Sequence, residues 1–208
     1  MSFFENTRKP VGLGGKIMVA MMNLGHSPVA RWGLRFLKLT LDAKVLDCGC
    51  GGGANMKRLL KKCPQGVVKG IDYSPVSVEK SKKVNEAAIA EGRCAVLQGS
   101  VADMVFADDW FDTITAFETV YFWPDLPRCF REVFRVLRPG GTFCGCFYVK
   151  GEHKRTDWFV RHVYEKAGFF TPPYETVSSL KARLDGMYTD VDMGNLKSMA
   201  WFVCRKAD

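Results

Sequence analysis

Two acids and a run of glycines carry the chemistry that is most legible in this sequence. Asp47 closes a short apolar run, and Gly49, Gly51, Gly52 and Gly53 follow it in the stretch VLDCGCGGG. Glycines at such spacing make a loop tight enough for backbone to touch a ligand. From Ala54 to Cys63 leucines and charges recur at helical intervals, so the loop lies between a strand and a helix N-terminus, an arrangement suited to a nucleotide. Gly49, Gly51 and Ala54 also satisfy the G-x-G-x-x-G/A pattern of dinucleotide sites. Asp47, two residues before the first glycine, argues for a different ligand: a carboxylate there crowds a pyrophosphate but accepts hydrogen bonds from an ammonium group. Asp72 ends a second apolar run, GVVKGID, 25 residues further on. An acid at the end of the second strand of a doubly wound sheet is placed to accept hydrogen bonds from vicinal ribose hydroxyls. Tyr73 follows it, ready to lie against a flat base, and Ser74 with Pro75 supplies a cap and first position for a helix to about Glu91.

The elements that must position these groups alternate along the chain. A third strand spans Cys94 to Gln98 and runs into Gly99, Ser100 and Val101. Phe111 to Phe117 is a fourth strand, followed by Glu118 and a loop rich in aromatics, with Tyr121, Phe122 and Trp123 close together. Such rings stack on a planar substrate or cradle a cation, or simply fill the core. Leu126 to Leu137 is an amphipathic helix, stopped by Arg138-Pro139-Gly140-Gly141 before a fifth strand from Thr142 to Tyr148. A helix over Thr156 to Gly168, a helix over Glu175 to Leu184, and a closing hairpin of Tyr188 to Asp192 and Met199 to Arg205 turning through Gly194-Asn195 complete the pattern.

With Asp47, Gly49, Gly51 and Gly53 in the first motif, Asp72 in the second and the L-R-P-G-G turn before the fifth strand, residues 45 to 148 resemble the class I S-adenosylmethionine-dependent methyltransferases, of the small single-domain, type 11/25-like kind. The resemblance implies a Rossmann-like, doubly wound α/β sheet of seven strands, mostly parallel with an antiparallel last strand, and helices on both faces. It implies S-adenosylmethionine as cofactor and S-adenosylhomocysteine as product. Asp47, Gly49, Cys50, Gly51, Asp72, Tyr73, Ser74, Ser100, Val101 and Glu118 are then the expected cofactor-binding residues. Ser100 departs from the acid that family members commonly carry there to bind the adenine amino group; its hydroxyl, the Val101 amide or Asp103 would have to serve instead. Elements before the first strand help shape the acceptor pocket in such proteins, which makes Met18, Met21, Met22 and His26 candidates beside Tyr121 and Trp123. Glu118, His26, His153 and Tyr121 are the groups available as a base, and no motif fixes that role on any of them.

At 208 residues, 47% hydrophobic and 25% charged, the chain suits a single domain: an N-terminal helical arm or cap over 1–40, a cofactor core over 41–150, and helices with a closing hairpin over 151–208. No apolar run approaches the roughly 18 residues of a membrane helix, and MSFFENTRKP has no secretory apolar region, so a cytoplasmic protein is expected. The eight cysteines then read as reduced, buried thiols. Cys48-x-Cys50 and Cys144-x-Cys146 would lie on strands separated by a third, which argues against a shared metal. Thr171-Pro172-Pro173-Tyr174 reads as a rigid linker. Of the formal charge of +8, residues 1–44 supply seven basic side chains against two acids. That excess suits solvated helix faces, and equally RNA or an acidic surface. The leading expectation is transfer of a methyl group to a small or medium-sized molecule. An RNA or protein methyltransferase is the second reading, and a non-catalytic cofactor-binding protein the third.

Overall fold

A computed structural model describes residues 27–165 and 176–208. Helix α1 (Ser27–Gly33) precedes strand β1 (Lys44–Cys48), and the glycine loop leads into α2 (Ala54–Lys62) and β2 (Val67–Asp72). Next come α3 (Pro75–Val84), α4 (Glu86–Ala90), β3 (Cys94–Gln98) and β4 (Phe111–Phe117). A 3-10 turn over Val120–Phe122 precedes α5 (Leu126–Val136), β5 (Leu137–Tyr148), α6 (Lys154–Phe159), α7 (Val177–Asp185), β6 (Thr189–Leu196) and β7 (Met199–Arg205).

The seven strands form one sheet in the order β3-β2-β1-β4-β5-β7-β6. β7 runs antiparallel to both neighbours, while the other paired strands are parallel. Chain order reverses between β1 and β4, so their carboxyl ends open a crevice at the switch point. Both faces are covered, as the nearly unbroken apolar run of β1 requires. Leu46 and Cys48 join a core with Phe130, Val133, Leu180 and Leu184 of α5 and α7, whereas Val45 joins one with Met56, Leu59 and Val78 of α2 and α3. All eight cysteines are free and buried, and no group of three potential metal ligands occurs among the described residues. Burial pushes the Cys94 and Cys129 thiols up to about 11, which keeps them protonated and unreactive near neutral pH.

Several boundaries differ from those read in sequence, each for a local reason. The helix after Ser74 breaks at Asn85, whose Nδ2 donates to the carbonyls of Gly53 (3.1 Å) and Ser81 (3.0 Å), pinning the glycine loop to α3. β5 begins at Leu137, ahead of the proline, through a pairing with Phe111 and a register shift. The helix expected from Thr156 starts at Lys154, because His153 caps it through Nδ1 to the Thr156 amide (3.3 Å), and it passes into a π turn over Val160–Glu165. The closing hairpin turns at Lys197-Ser198, where Lys197 has φ of +56°, and not at Gly194-Asn195. Gly194 lies within β6 opposite Trp201; a Cβ there would come 3.0 Å from the indole Nε1. Its glycine makes room for an aromatic ring across the sheet.

Gly66, just before β2, is crowded by backbone alone: a Cβ would overlap the Ala43 carbonyl oxygen. Gly66→Ala is therefore expected to cost about 2 kcal/mol, within the range of overpacking changes, and to lower the thermal midpoint without altering the site chemistry, as a melting curve will show.

Candidate cofactor and active site

Asp47 reaches the crevice from the end of β1 and is almost fully buried. Its Oδ1 accepts hydrogen bonds from Thr115 Oγ1 (2.7 Å) on β4 and Asn55 Nδ2 (3.1 Å) on α2. Oδ2 takes no hydrogen bond among the described residues. Burial raises the Asp47 carboxyl to about 6, against the lowering effect of those two donors. Asn55 Oδ1 beside it is buried without a partner among the described residues, which leaves two such acceptors together.

The glycine loop follows a path only glycine tolerates easily, with φ of +73°, +51° and +80° at Gly49, Gly51 and Gly53. The amides of Gly49 and Cys50 both donate to Ile71 O at 2.8 and 3.1 Å, tying the loop to β2. Cys50 also accepts the Gly53 amide on its carbonyl and buries its thiol near Ser81, so its polar groups are turned to protein. Gly51 differs: a Cβ built on it meets nothing within 4 Å among the described residues.

Asp72 closes β2. Its Oδ2 accepts the Gly51 amide (2.9 Å) and its Oδ1 the Ser74 amide (2.9 Å), which fixes the plane of the carboxylate. Each oxygen keeps a second lone-pair site. Burial raises its pKa, and the two amides work against that rise. Ser74 caps α3 through its Oγ to the Ser77 amide (3.3 Å), and Tyr73 between them is partly exposed. After β3, Ser100 Oγ accepts the Ala102 amide (3.2 Å) in a local turn and Val101 is buried. Asp103 points to solvent, with a carboxyl oxygen 4.0 Å from Arg128.

Glu118 follows β4 in a left-handed conformation, φ +57°, a strained backbone for a non-glycine residue. The Glu118 amide donates to Cys146 O (2.8 Å). Tyr121 OH donates to Oε2 (3.1 Å), and the buried Oε1 has no partner among the described residues. Burial raises this carboxyl to about 7 despite the tyrosine. Thr119 next to it presses on Gly49: a Cβ on that glycine would overlap Thr119 Oγ1. The β4 loop and the glycine loop are thus in contact through Thr119, the residue after Glu118.

Of the expected site residues, Asp47, Gly49, Gly51, Asp72 and Glu118 gather at the crevice. Trp123 does not: it is buried against Phe130, ring centroids 5.7 Å apart, and joins the core. His153 is occupied as a helix cap. Met18, Met21, Met22, His26 and the Thr171–Tyr174 tetrapeptide lie outside the described residues. Asn55, Thr115 and Thr119 are additions that sequence reasoning missed. Asn55 had one available signal, its place in the first turn of the helix leaving the glycine loop.

A doubly wound sheet with this strand order, an acid at the end of β1 and another at the end of β2, is the architecture of the class I S-adenosylmethionine-dependent methyltransferases, and the fold of this chain is of that type. More narrowly, residues 46–145 match the family described as a methyltransferase domain. Cycloartenol-C-24-methyltransferase 1 of Oryza sativa subsp. japonica is 33% identical over 112 residues, 52% of this chain and 32% of that protein. Sterol 24-C-methyltransferase erg6 of Aspergillus fumigatus is 34% identical over 100 residues, 48% of this chain and 26% of that one. The chain thus spans about a third or less of the length of these curated relatives. A solved phosphoethanolamine N-methyltransferase 2 of Haemonchus contortus, in complex with phosphomonomethylethanolamine and S-adenosylhomocysteine, shares the fold at 12% identity, with a TM-score of 0.80 over 100% of this chain and 61% of that one.

Proposed function

We propose that the chain transfers the methyl group of S-adenosylmethionine to a small or medium-sized acceptor, which meets the carboxyl edge of the sheet beside Glu118 and Tyr121. The observation that carries this reading is the buried Oε1 of Glu118, which has no partner among the described residues, in the loop whose Thr119 packs on Gly49. A buried acceptor without a donor costs free energy unless a ligand supplies one. The donor set fits the cofactor. Asp72 would take the ribose hydroxyls on the lone pairs its backbone amides leave, Gly51 would leave room for the nucleoside, and Asp47, Asn55 and Glu118 would hold the cationic amino acid end.

The bound cofactor supplies an electrophilic methyl group on a sulfonium centre. What the protein contributes is alignment, because in-line displacement depends chiefly on holding two reactants in register. The carboxylates of Asp47 and Glu118 favour a cation in a site shielded from water. Tyr121, half-buried and tied to Glu118, orients that carboxyl.

The charge state of the two acids makes affinity depend on pH. A carboxyl whose pKa is raised in the free protein must lose its proton before it can hold an ammonium group. Binding is therefore expected to strengthen from pH 5.5 to pH 7, by up to about tenfold per unit where one proton is released. Glu118→Gln removes the step centred near 7 and leaves the one near 6 that belongs to Asp47. Without ligand the sign is opposite. Raised carboxyls bind protons better folded than unfolded, so their stabilisation is complete below about 4 and falls away as pH rises through about 6 to 7. Calorimetric titrations and thermal melts across that range read both trends.

Methyl-labelled cofactor incubated with sterol-like alkenes, small amines and phenols, total RNA and unmodified protein tests the acceptor class. Label in the small-molecule fraction is the expected result. Label confined to RNA or protein would move the assignment to the second reading.

A further inference from the structure

Beyond the crevice, one surface combines exposed apolar side chains with unpaired basic ones. Trp158 and Phe159 of α6 are 60% and 45% exposed, and Leu196 at the tip of the β6–β7 hairpin is 63% exposed. The exposed Lys154 and Arg155 share the outward face of α6 with the two rings, since helical spacing sets Thr156 and Val160 on the opposite, inward side. Lys197, also exposed, follows Leu196 in the hairpin turn. None of these three cations forms an ion pair among the described residues.

The nearby acids are spent internally. Asp157 accepts Tyr148 OH (2.8 Å) and the Gly151 amide (3.1 Å), and Glu152 accepts Asn195 Nδ2 (3.0 Å). The last of these bonds, with Val149 N to Ser198 O at 2.9 Å, fastens the hairpin tip to the segment that opens α6. Tyr148 pairs with Met199 at the carboxyl end of β5. The patch therefore lies at the same edge of the sheet as the glycine loop and Glu118.

We propose that α6 and the β6–β7 tip dock this protein on an anionic lipid surface, Trp158, Phe159 and Leu196 entering the interface while Lys154, Arg155 and Lys197 meet the headgroups. Tryptophan beside lysine and arginine is the composition that lies in a membrane interface. Nucleic acid explains the patch less well: Leu196 offers no ring, and one face of Trp158 is already stacked on His162, with centroids 4.6 Å apart. Docking in this orientation turns the crevice edge to the lipid, from which a lipophilic acceptor would enter. The docking itself does not depend on methyl transfer. No helix among the described residues is long and apolar enough to cross a membrane, and surface attachment needs none.

The test is flotation of the 208-residue protein with phosphatidylcholine vesicles, with and without phosphatidylglycerol, beside a W158S/F159S variant and a K154E/R155E variant. Thermal melts check that both remain folded, as exposed positions predict. The wild type should float with the anionic vesicles and lose them in high salt, and each variant should bind at least about tenfold more weakly. Absence of wild-type flotation, equal binding to both vesicle types, undiminished flotation of either folded variant, or binding to RNA with none to vesicles would each overturn the proposal. Cofactor titration of the same samples reads the crevice separately.

Discussion

Asp72→Ala is expected to weaken S-adenosylmethionine binding by about 100-fold or more while leaving a folded protein. Hydrogen bonds to a charged group contribute about 1.5–3 kcal/mol each, and the carboxylate has a free lone-pair site on each oxygen for the two ribose hydroxyls. The conservative variant should fare little better. Both oxygens already accept backbone amides, from Gly51 and Ser74, so Asp72→Asn sets an NH2 against one N–H donor whichever way the amide turns. The glycine loop or the start of α3 must then shift. Calorimetric titration of both variants beside the wild type checks this, and an Asp72→Asn protein that binds as tightly as the wild type would remove the ribose role.

Gly49→Ala should have the largest effect on stability. The substitution forces an alanine into φ of +73° and drives its Cβ into Thr119. Left-handed backbone costs a non-glycine residue about 1–2 kcal/mol, and overpacking typically adds another 1–3 kcal/mol. A loss of about 4 kcal/mol is expected in denaturant unfolding, together with loss of cofactor binding, because the same contact seats the β4 loop and Glu118. Adding Thr119→Gly should recover the steric part and not the backbone part. Full recovery in the double variant would show that φ contributes nothing.

Asp72 and Gly49 differ in how much of their role the sequence alone carries. Asp72 was legible because its chemistry follows from one local fact, an acid ending the strand after a glycine loop. Gly49 was legible as a turn residue, but the reason it cannot carry a side chain lies in Thr119, 70 positions later. Thr115 and Asn55 were hidden for the same reason: their hydrogen bonds to Asp47 exist only once β4 lies beside β1 and α2 stands over the crevice. Trp123 shows the converse, since an aromatic in a loop reads alike whether it turns to a ligand or, as here, to Phe130. Gly194-Asn195 carried a strong local turn signal that the cross-strand ring of Trp201 overrode. Strand order and type, by contrast, followed from motifs met in sequence order, and the sheet reproduces that order.

The most direct test of the central claim is calorimetric titration of the wild-type protein, near pH 7, with S-adenosylmethionine, S-adenosylhomocysteine and NADH. Micromolar binding of both sulfur nucleotides, with none of NADH, is the predicted result. A folded protein that ignores both sulfur nucleotides would contradict the account, and one that takes NADH in their place would make the glycine loop a dinucleotide site.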